Sequence, residues 1–382
     1  MAQESVPWAK TGPDSAKIIN MGSNVRLMTT PFASNRVRAQ HGTGNGDIRK
    51  SRSHRVHATY VRNAIATLFP NVPDMHDEIM TTHRFTPDRW SNVLGTLPPV
   101  FTLASGDSLI VPTLDAAGTD HQSMPRASRP NPMVGPIAID GAEPGDALRV
   151  EIVRMTPSRP LGWTRSALAT NVVDPDRVRD LPANDKVTWR IDPAAGTVRL
   201  DEPVTGLEHL VLPLEPMLGC FGVAPSLGQA FSTATSDRNG GNMDYRRFGP
   251  GSTAWFPVSV PGALFFLGDG HAVQGDGEIV GTGIETSFEV EVRLTIEKGR
   301  RLAWPRGEDA DNIFSVGNAR PLDQALQHAT TDMLDWLMSD YGLSGTAASH
   351  LMGQVVRYDI GNVFDPAYTV ACRIEKRWLP RR

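Results

Sequence analysis

Residue types that bind metal ions are concentrated in one short stretch, residues 268–278. It contains four glycines together with Asp269, His271, Asp276 and Glu278. Donors two positions apart point to one face of an extended backbone, and the glycines let the chain turn sharply between the two pairs. Mixed carboxylate and imidazole donors suit zinc, manganese or iron, whereas oxygen donors alone suit calcium. The stretch therefore predicts a metal site, with a solvated polar hairpin as the alternative.

Two further polar clusters could contribute to such a site. Residues 239–244 carry paired glycines followed by Asn242 and Asp244. An asparagine can hold an amide or an oxyanion, and an aspartate can bind a metal or accept a proton. A simple polar Gly-Asn turn is an equal alternative for this cluster. Asp115 follows a predicted strand and lies close in sequence to Asp120 and His121, which is a weak signal when taken alone.

The elements around these clusters are mainly β-strands. An apolar run at 263–267 precedes the metal-binding stretch, and strict alternation of apolar and polar residues follows it at 286–297. Gly-Asp and Pro/Gly-containing turns separate the other short apolar segments. Strands are predicted at 99–103, 108–111, 147–155, 186–191, 197–200, 263–267, 286–297, 355–360 and 368–375.

A helical pair is predicted near the C-terminus. Apolar residues recur at three- and four-residue spacing over 321–341, with Pro321 suited to the first turn and Gly342 to the left-handed position after the last. Ser344 is a predicted N-cap for a second helix that continues to about Met352. The predicted fold class is therefore mainly β with two helices near the C-terminus.

Composition excludes several classes of protein. The chain has 382 residues and a net charge of −4, which indicates no nucleic-acid partner for the chain as a whole. No apolar run approaches the about 20 residues needed to span a membrane, and no secretory signal is evident. The two cysteines, Cys220 and Cys372, lack a metal-type neighbourhood and favour a reducing compartment. Cys220, among apolar and small residues, is predicted to be a buried, inert thiol.

The first 79 residues differ from the rest. Residues 36–62 contain seven Arg or Lys against one Asp, and residues 1–79 show no sustained periodicity. They are predicted to be a basic, poorly ordered extension, with 80–382 as the catalytic domain. The alternative is a basic arm that contacts an acidic partner or a neighbouring subunit.

Common catalytic motifs are missing from the sequence. There is no GxSxG, HExxH, Walker or CxxC motif. A series of segments in fixed order does, however, form a recognisable pattern from about residue 80 to the end. These segments are 97–100, 105–107, 114–116, 131–137, 141–146, 222–225, 240–244, 262–265, 283–285, 322–326 and 341–344. In these segments the chain resembles the acetamidase/formamidase family of amidohydrolases.

The resemblance implies a β-sandwich-like catalytic domain, hydrolysis of short amides such as formamide and acetamide, and a divalent metal. It also implies a cytoplasmic homo-oligomer. One departure concerns residues 235–239, where Asp237 and Arg238 replace a Pro-Gly lead and could re-charge the mouth of the pocket. Hydrolysis of a larger or charged amide is therefore an alternative.

The resemblance and the donor chemistry together suggest roles for individual residues. Zinc, with calcium as the alternative, is placed on five candidate ligands: Asp115, Asp269, His271, Asp276 and Glu278. Glu285 or Asp244 would transfer protons, and Asn242 would orient the small amide substrate. None of the six lysines lies within a cluster, so Cys-Glu-Lys and Ser-Ser-Lys amidase mechanisms are excluded. The rival from another class is a calcium-dependent β-sandwich module that binds a ligand without catalysis.

Overall fold

Long alternating strands form the framework of the protein. The computed structural model describes residues 80–381, so the predicted extension 1–79 lies outside the described residues. The described residues lie within one compact unit, 77–382, and the predicted domain start at residue 80 stays a prediction. In the strand Phe288–Glu297, apolar side chains at every second position face the core, as the sequence pattern predicts.

Two large sheets contain almost all of the strands, which are numbered here in chain order. The first sheet has nine strands in the spatial order β1 (Thr82–Arg84), β4 (Ser108–Pro112), β18 (Phe288–Glu297), β6 (Ala147–Pro157), β15 (Thr253–Pro257), β19 (Arg306–Glu308), β20 (Asn312–Ala319), β22 (Tyr368–Glu375) and β21 (Arg357–Ile360). All neighbours in it are antiparallel except the pair β1 and β4.

The second sheet has eleven strands and carries the polar clusters. Its main path runs β10 (Val211–Pro213), β9 (Thr197–Leu200), β8 (Lys186–Asp192), β7 (Leu161–Arg165), β17 (Glu285–Thr286), β16 (Phe265–His271), β11 (Met217–Val223), β14 (Gly240–Asn242) and β13 (Ser236–Asp237). β5 (Val134–Ile139) pairs with β16 beside this path, and β3 (Phe101–Leu103) pairs with β5. A separate ribbon pairs β2 (Val93–Gly95) with β12 (Ala230–Ser232).

The main core lies between the two sheets. Buried side chains from the first sheet, such as Val150 and Val292, belong to the same cluster as Phe221 and Phe265 from the second. Burial of apolar surface from both inner faces is what holds two such sheets together. The prediction of a mainly β, sandwich-like fold is confirmed.

The two helices near the C-terminus are also confirmed. Helix α1 (Leu322–Tyr341) ends at Gly342, whose φ of 65° is left-handed, and the Ser344 side chain caps α2 (Gly345–Val355) by accepting from the Ala347 amide. Met333 and Trp336 of α1 pack in a second apolar cluster against residues of the first sheet. Short 3₁₀ turns lie at Val178–Asp180 and Lys376–Trp378. Neither α-helix of the described part is long and apolar enough to cross a membrane.

The strand that precedes the metal-binding stretch is predicted to end too early. The sequence predicts a loop from residue 268, but β16 continues through His271, with every residue of the strand buried. β16 can remain buried up to His271 because Gly268 and Gly270 have no side chains. Met133 and Phe288 of neighbouring segments occupy the room that they leave. Asp269 and His271 are therefore placed by a central strand rather than by a turn.

Candidate metal centre

Strand β16 and its neighbours bring the polar clusters together. On β16, Asp269 and His271 share one face, with His271 Nε2 3.5 Å from Asp269 Oδ1. The antiparallel register places Glu285 of β17 directly opposite His271, and Glu285 Oε1 lies 3.0 Å from His271 Nε2. On the other side, β11 separates β16 from β14, and Asp244 follows β14. A buried group of acids thus surrounds one imidazole.

His271 is common to two possible ligand sets. One set is Asp244, His271 and Glu278, and the other is Asp269, His271 and Glu285; within each set the ligand atoms lie within 4.8 Å of one another. All five side chains are buried, with exposures between 0 and 6%. None of these four acids forms an ion pair with a lysine or arginine of residues 80–381, so their charges lack a basic partner in this region. Buried carboxylates in that condition call for a cation.

Gln274 determines which nitrogen of His271 faces the acids. The Gln274 Nε2 amide donates to the backbone carbonyls of Asp244 and Gly361 at 2.6 and 3.2 Å, so its Oε1 is the atom that faces His271 Nδ1 at 2.7 Å. Nδ1 must then be the protonated nitrogen that donates to Oε1. The lone pair of neutral His271 is consequently on Nε2, directed at the acids, as in many metal sites with a fixed second nitrogen.

Two asparagines hold the aspartates in the same way. Asn131 Nδ2 donates to Asp269 Oδ2 at 2.9 Å, and Asn362 Nδ2 donates to Asp244 Oδ2 at 3.0 Å. The other oxygen of each aspartate, Oδ1, is buried without a hydrogen-bond partner. Each carboxylate is thus fixed by one oxygen and leaves the other available.

The orphaned atoms show that the residues fit a metal ion. Of the seven buried side-chain atoms without a hydrogen-bond partner in the described region, four lie here: Asp244 Oδ1, Asp269 Oδ1, His271 Nε2 and Glu285 Oε2. The close approach of His271 Nε2 to two acids lacks the alignment of a hydrogen bond, since Nε2 is itself among these atoms. Buried polar groups are nearly always bonded, so four unbonded atoms on His271 and on three acids grouped with it fit the binding of a cation. Their chemistry, one imidazole and three carboxylate oxygens, is that of a zinc-type site.

Electrostatics at the centre reflects the crowding of negative charge. Burial raises the pKa of Asp244 and of Glu278 well above the usual range, and the neighbouring acids add to both shifts. Burial likewise raises the pKa of Glu285 to about 8. For His271, burial lowers the pKa, but the charges of Glu285 and Asp269 outweigh it and raise the pKa well above its ordinary value. A divalent cation would relieve this mutual repulsion.

Unusual backbone conformations are concentrated at the centre. Asp244, Asp269 and Glu278 have φ angles of 46°, 53° and 47°, in the left-handed region that non-glycine residues seldom adopt. Asn131, with φ 27°, adds a fourth case. Such backbone strain persists where the surroundings impose it, typically at functional sites. Close packing also requires glycine at position 219, since a Cβ there would overlap Asp244 Oδ1.

A small cavity opens onto the centre. Its volume is about 170 Å³, below the roughly 300–1,000 Å³ of sites for drug-sized ligands. The cavity lining comprises Ala116, Arg129, Pro130, Asn131, Ala234, Asn242, Asp269, Glu278, Gly281, Thr282, Glu285, Phe364 and Asp365. The space therefore suits a molecule of a few heavy atoms that reaches the acids.

Two predicted ligands lie outside the centre. Asp115 Oδ2 accepts from Arg159 Nη2 and from Trp163 Nε1 at 3.0 Å, while its Oδ1 accepts from the Ala117 and Thr119 amides at 3.0 and 2.8 Å. Both Asp115 oxygens are engaged in hydrogen bonds, so Asp115 does not fit the predicted role of metal ligand. Asp276 is exposed and lies 3.7 Å from Arg246, because the turn at Gly275 and Gly277 directs it to solvent while Glu278 turns inward. Asp276 is removed for that reason.

The predicted substrate contacts also change. Asn242 lines the cavity, but its Oδ1 accepts from Asn131 and its Nδ2 donates to Asp365 Oδ2, both at 2.6 Å. Its amide is therefore engaged in holding other side chains. Arg238, expected at the pocket mouth together with Asp237, instead lies over the Trp304 ring at 5.6 Å, and neither residue lines the cavity.

Several site residues are not recognised in the sequence. Gln274, Asn362 and Asp365 received no role there, and Asn131 appeared only within a family-like segment. Asp365 comes from the loop between β21 and β22, more than 100 residues from Asn242, and only tertiary structure brings them together. For Gln274, the signal was its position three residues after His271 in the same stretch.

The cysteine nearest the centre has the environment of a buried, unreactive thiol. Cys220 is fully buried and lies on β11. Burial raises the pKa of its thiol well above the ordinary value, and the charges of Asp269 and Asp244 act in the same direction. Since the thiolate is the nucleophilic form, this environment disfavours a role as nucleophile.

Sequence comparison finds similarity to acetamidases and formamidases. A family profile described as the Acetamidase/Formamidase family matches residues 227–329. An acetamidase of Mycolicibacterium smegmatis is 28% identical over 246 residues, which are 49% of this chain and 58% of that protein. The chain thus matches less than two thirds of the length of that curated relative.

Solved structures extend the similarity to most of the fold. The crystal structure of an acetamidase from Yersinia enterocolitica superposes with a TM-score of 0.70 and 32% identity, covering 85% of this chain and 99% of that one. An acetamidase structure from Bacillus halodurans gives a TM-score of 0.68 with 26% identity, over 78% of this chain and 98% of that one. With 32% identity over nearly the whole of the Yersinia acetamidase, the chain belongs to the acetamidase/formamidase family.

Proposed function

We propose that the protein hydrolyses short aliphatic amides of the formamide and acetamide class with the help of a divalent metal ion. The observation that carries the proposal is the set of four orphaned atoms around His271 at the base of a small cavity. The acetamidase relatives support the amide bond as the target. Zinc is the favoured ion because an imidazole nitrogen is among the ligands, and calcium prefers oxygen ligands alone.

The residues divide into ligands and a proton-transfer group. We assign the metal to His271 Nε2 and to the unbonded oxygens of Asp244, Asp269 and Glu285. When bound, zinc lowers the pKa of water to about 7 and polarises a carbonyl group. Glu278 lines the cavity and lacks an orphaned buried atom, so we assign the movement of protons to it. This assignment exchanges the sequence-based roles of Glu278 and of the pair Glu285 and Asp244.

The reaction needs a proton at a defined place. Water adds its oxygen to the amide carbon, the C–N bond breaks, and ammonia leaves with a proton, so that a carboxylate and ammonium result. Glu278 would accept the proton from water and return it to the leaving nitrogen, which is general base followed by general acid catalysis. Burial and the neighbouring acids raise the pKa of Glu278, and the charge of a bound metal ion would lower it again, so that the carboxylate form is available to take the proton from water.

The decisive experiment compares two histidine variants of the full-length protein. We expect ammonia release from formamide or acetamide, about one zinc per chain, and loss of both in His271→Ala. His121→Ala is the matched control, because His121 is exposed and outside the cavity lining. A chelator should abolish turnover, and zinc should restore it. Full turnover by metal-stripped protein would overturn the metal assignment, and calcium binding without ammonia release would favour a binding module.

We propose that the protein is cytoplasmic and homo-oligomeric. Cys220 and Cys372 are both free and buried, which supports a reducing compartment such as the cytoplasm. We also propose a homo-oligomer on the strength of the family resemblance. Size-exclusion chromatography with light scattering measures the oligomeric state directly.

A further inference from the structure

The cavity above the proposed metal site has a buried floor and an exposed rim. The floor is formed by Asp269 and Glu285, which are 3% and 1% exposed. At the rim, Arg129 and Phe364 are exposed, and Asp365 is half-buried. A small amide that reaches the floor with its carbonyl group would therefore have its other end beside these rim residues.

The backbone around Arg129 is firmly anchored. Asn92 Nδ2 donates to the carbonyls of Ser128, at 2.9 Å, and Pro130, so both neighbours of Arg129 are bonded to one side chain. Thr233 Oγ1 also donates to the Pro130 carbonyl at 3.0 Å. The position of Arg129 at the rim is thus fixed by the fold even though its side chain is exposed.

Arg129 differs from the other arginines near it. Arg126 pairs with Asp120 at 2.5 Å, and Arg159 pairs with Asp115. Within residues 80–381, no ion pair, hydrogen bond or ring contact is formed by the guanidinium of Arg129. The rim acid Asp365 is held in place by Asn242 Nδ2, which donates to its Oδ2, and it forms no ion pair with Arg129. The rim therefore offers one unpaired cation.

We propose that Arg129 binds a carboxylate on the substrate, and that the preferred substrates are half-amides of short dicarboxylic acids. This inference rests on the proposed amide hydrolysis and specifies its substrate class. The planar guanidinium can bind a carboxylate through two parallel hydrogen bonds, which a neutral methyl or amide end cannot match. A volume of about 170 Å³ limits the acid to a short chain.

The reaction on such a substrate balances without another reactant. For malonamate, water adds to the amide carbon, the C–N bond breaks, and the products are malonate and ammonium. The carboxylate beside Arg129 remains unchanged throughout. Arg129 is therefore a specificity-determining residue, which contacts the substrate away from the bond that breaks.

The test compares malonamate with malonamide, which has nearly the same shape but no charge. We expect kcat/KM to be higher for malonamate in the wild-type enzyme. Arg129→Met should lower kcat/KM for malonamate by about 10- to 100-fold, the usual effect of losing hydrogen bonds to a charged group, and leave malonamide nearly unchanged. Arg129→Lys should give an intermediate loss because it keeps the charge without the planar fork. Arg301→Met, at an exposed arginine outside the cavity lining, is the control.

The outcomes distinguish a wrong role for Arg129 from a wrong assignment of amide hydrolysis. Hydrolysis of both amides with no preference for malonamate, or an equal loss on both in Arg129→Met, would overturn the role of Arg129 and leave amide hydrolysis intact. No ammonia from either amide in zinc-loaded protein would overturn the proposed function. In that case, calorimetric titration with malonamate still tests the carboxylate site, since binding must be at least about 10-fold weaker in Arg129→Met. Equal binding by wild type and variant would refute it.

Discussion

Two groups of carboxylates in this protein are close together and are stabilised in opposite ways. Asp115 and Asp120 accept from arginines and from backbone amides, through both of their oxygens. At the centre, Asp244 and Asp269 each have one oxygen held by an asparagine and the other unbonded. Asp115 is 1% exposed and Asp269 is 3% exposed, so burial does not distinguish the two groups.

The difference lies in how completely the hydrogen-bonding capacity is used. A carboxylate whose two oxygens are both hydrogen-bonded, here called saturated, stabilises the loop that surrounds it, and its removal leaves its arginine unpaired. A buried carboxylate with an unbonded oxygen destabilises the fold, and this cost is offset only when a ligand binds to that oxygen. The fold accepts that cost at the centre, where three acids also have left-handed backbone conformations. On the proposed assignment, stability and metal binding thus depend on chemically identical side chains in different parts of the structure.

The largest effect is expected from exchanging one aspartate of each group for asparagine. Asp115→Asn should lower the free energy of unfolding by about 3–5 kcal/mol, because Arg159 is left buried without a countercharge, while zinc affinity changes little. Asp269→Asn should leave the metal-free protein as stable as the wild type or more stable, since it removes a repelling charge, and should lower zinc affinity by more than about 100-fold.

Both quantities are measured on the same preparations, by denaturant unfolding of metal-stripped protein and by competitive zinc titration. The comparison fails if Asp115→Asn loses zinc while its stability is retained. It also fails if Asp269→Asn unfolds as readily as Asp115→Asn does.

Local signals allowed part of the secondary structure to be predicted, whereas several strands, among them Met217–Val223 and Asn312–Ala319, were not predicted. Pro321 and Gly342 bracket a helix observed at Leu322–Tyr341, and the strands Thr197–Leu200 and Tyr368–Glu375 have the predicted bounds. Period-two alternation and turn chemistry act over a few residues, so they are visible in the sequence. The strand β16 extends beyond its predicted end because its glycines allow neighbouring segments to pack closely against it. Such packing depends on the tertiary structure and is not visible in the local sequence.

The candidate site could be predicted only in part for the same reason. Asp269 and His271 were identified as a pair because two-residue spacing is a local property, and the structure does place them on one face. Distinguishing Glu278 from Asp276 requires the turn geometry at Gly277, whose φ is 87°. Excluding Asp115 requires knowledge of Arg159 and Trp163, more than 40 residues away. Hydrogen-bond saturation, which separates the two groups of acids, depends on such distant partners.

A smaller effect is expected from removing the hydrogen bond that holds one carboxylate oxygen of Asp269. Asn131→Gly removes the donor to Asp269 Oδ2, and glycine accepts the backbone φ of 27° without strain. Zinc affinity should fall by about 10- to 100-fold, as is usual when a group that orients a metal ligand is lost. Zinc titration measures the loss, and unfolding of the metal-free protein provides the contrast. Reduced stability with unchanged zinc affinity would assign Asn131 to the saturated, structural group.

The smallest effect on the free energy of unfolding is expected at Asp120, and it should depend on pH. Burial opposes ionisation, but hydrogen bonds from Arg126 and from the Met124 and Gln122 amides outweigh it and lower the pKa of Asp120 to about 2. A folded-state pKa below the ordinary value of about 3.9 contributes stability above that value, which is lost as the pH falls through about 2. Because Arg126 is 45% exposed, we expect Asp120→Asn to cost only about 1 kcal/mol at pH 7.

The measurement is the difference in free energy of unfolding between wild type and Asp120→Asn at pH 7, 4 and 2.5. It should be largest at pH 7 and shrink at pH 2.5, where the wild-type carboxyl group begins to take up its proton. Asp276→Asn is the control, since that exposed side chain is 3.7 Å from Arg246 and should show almost no difference at any pH. A difference at Asp120 that is constant with pH would mean that its bonds stabilise the loop without depending on its charge. Saturation by an arginine would then be no more stabilising than saturation by backbone amides alone.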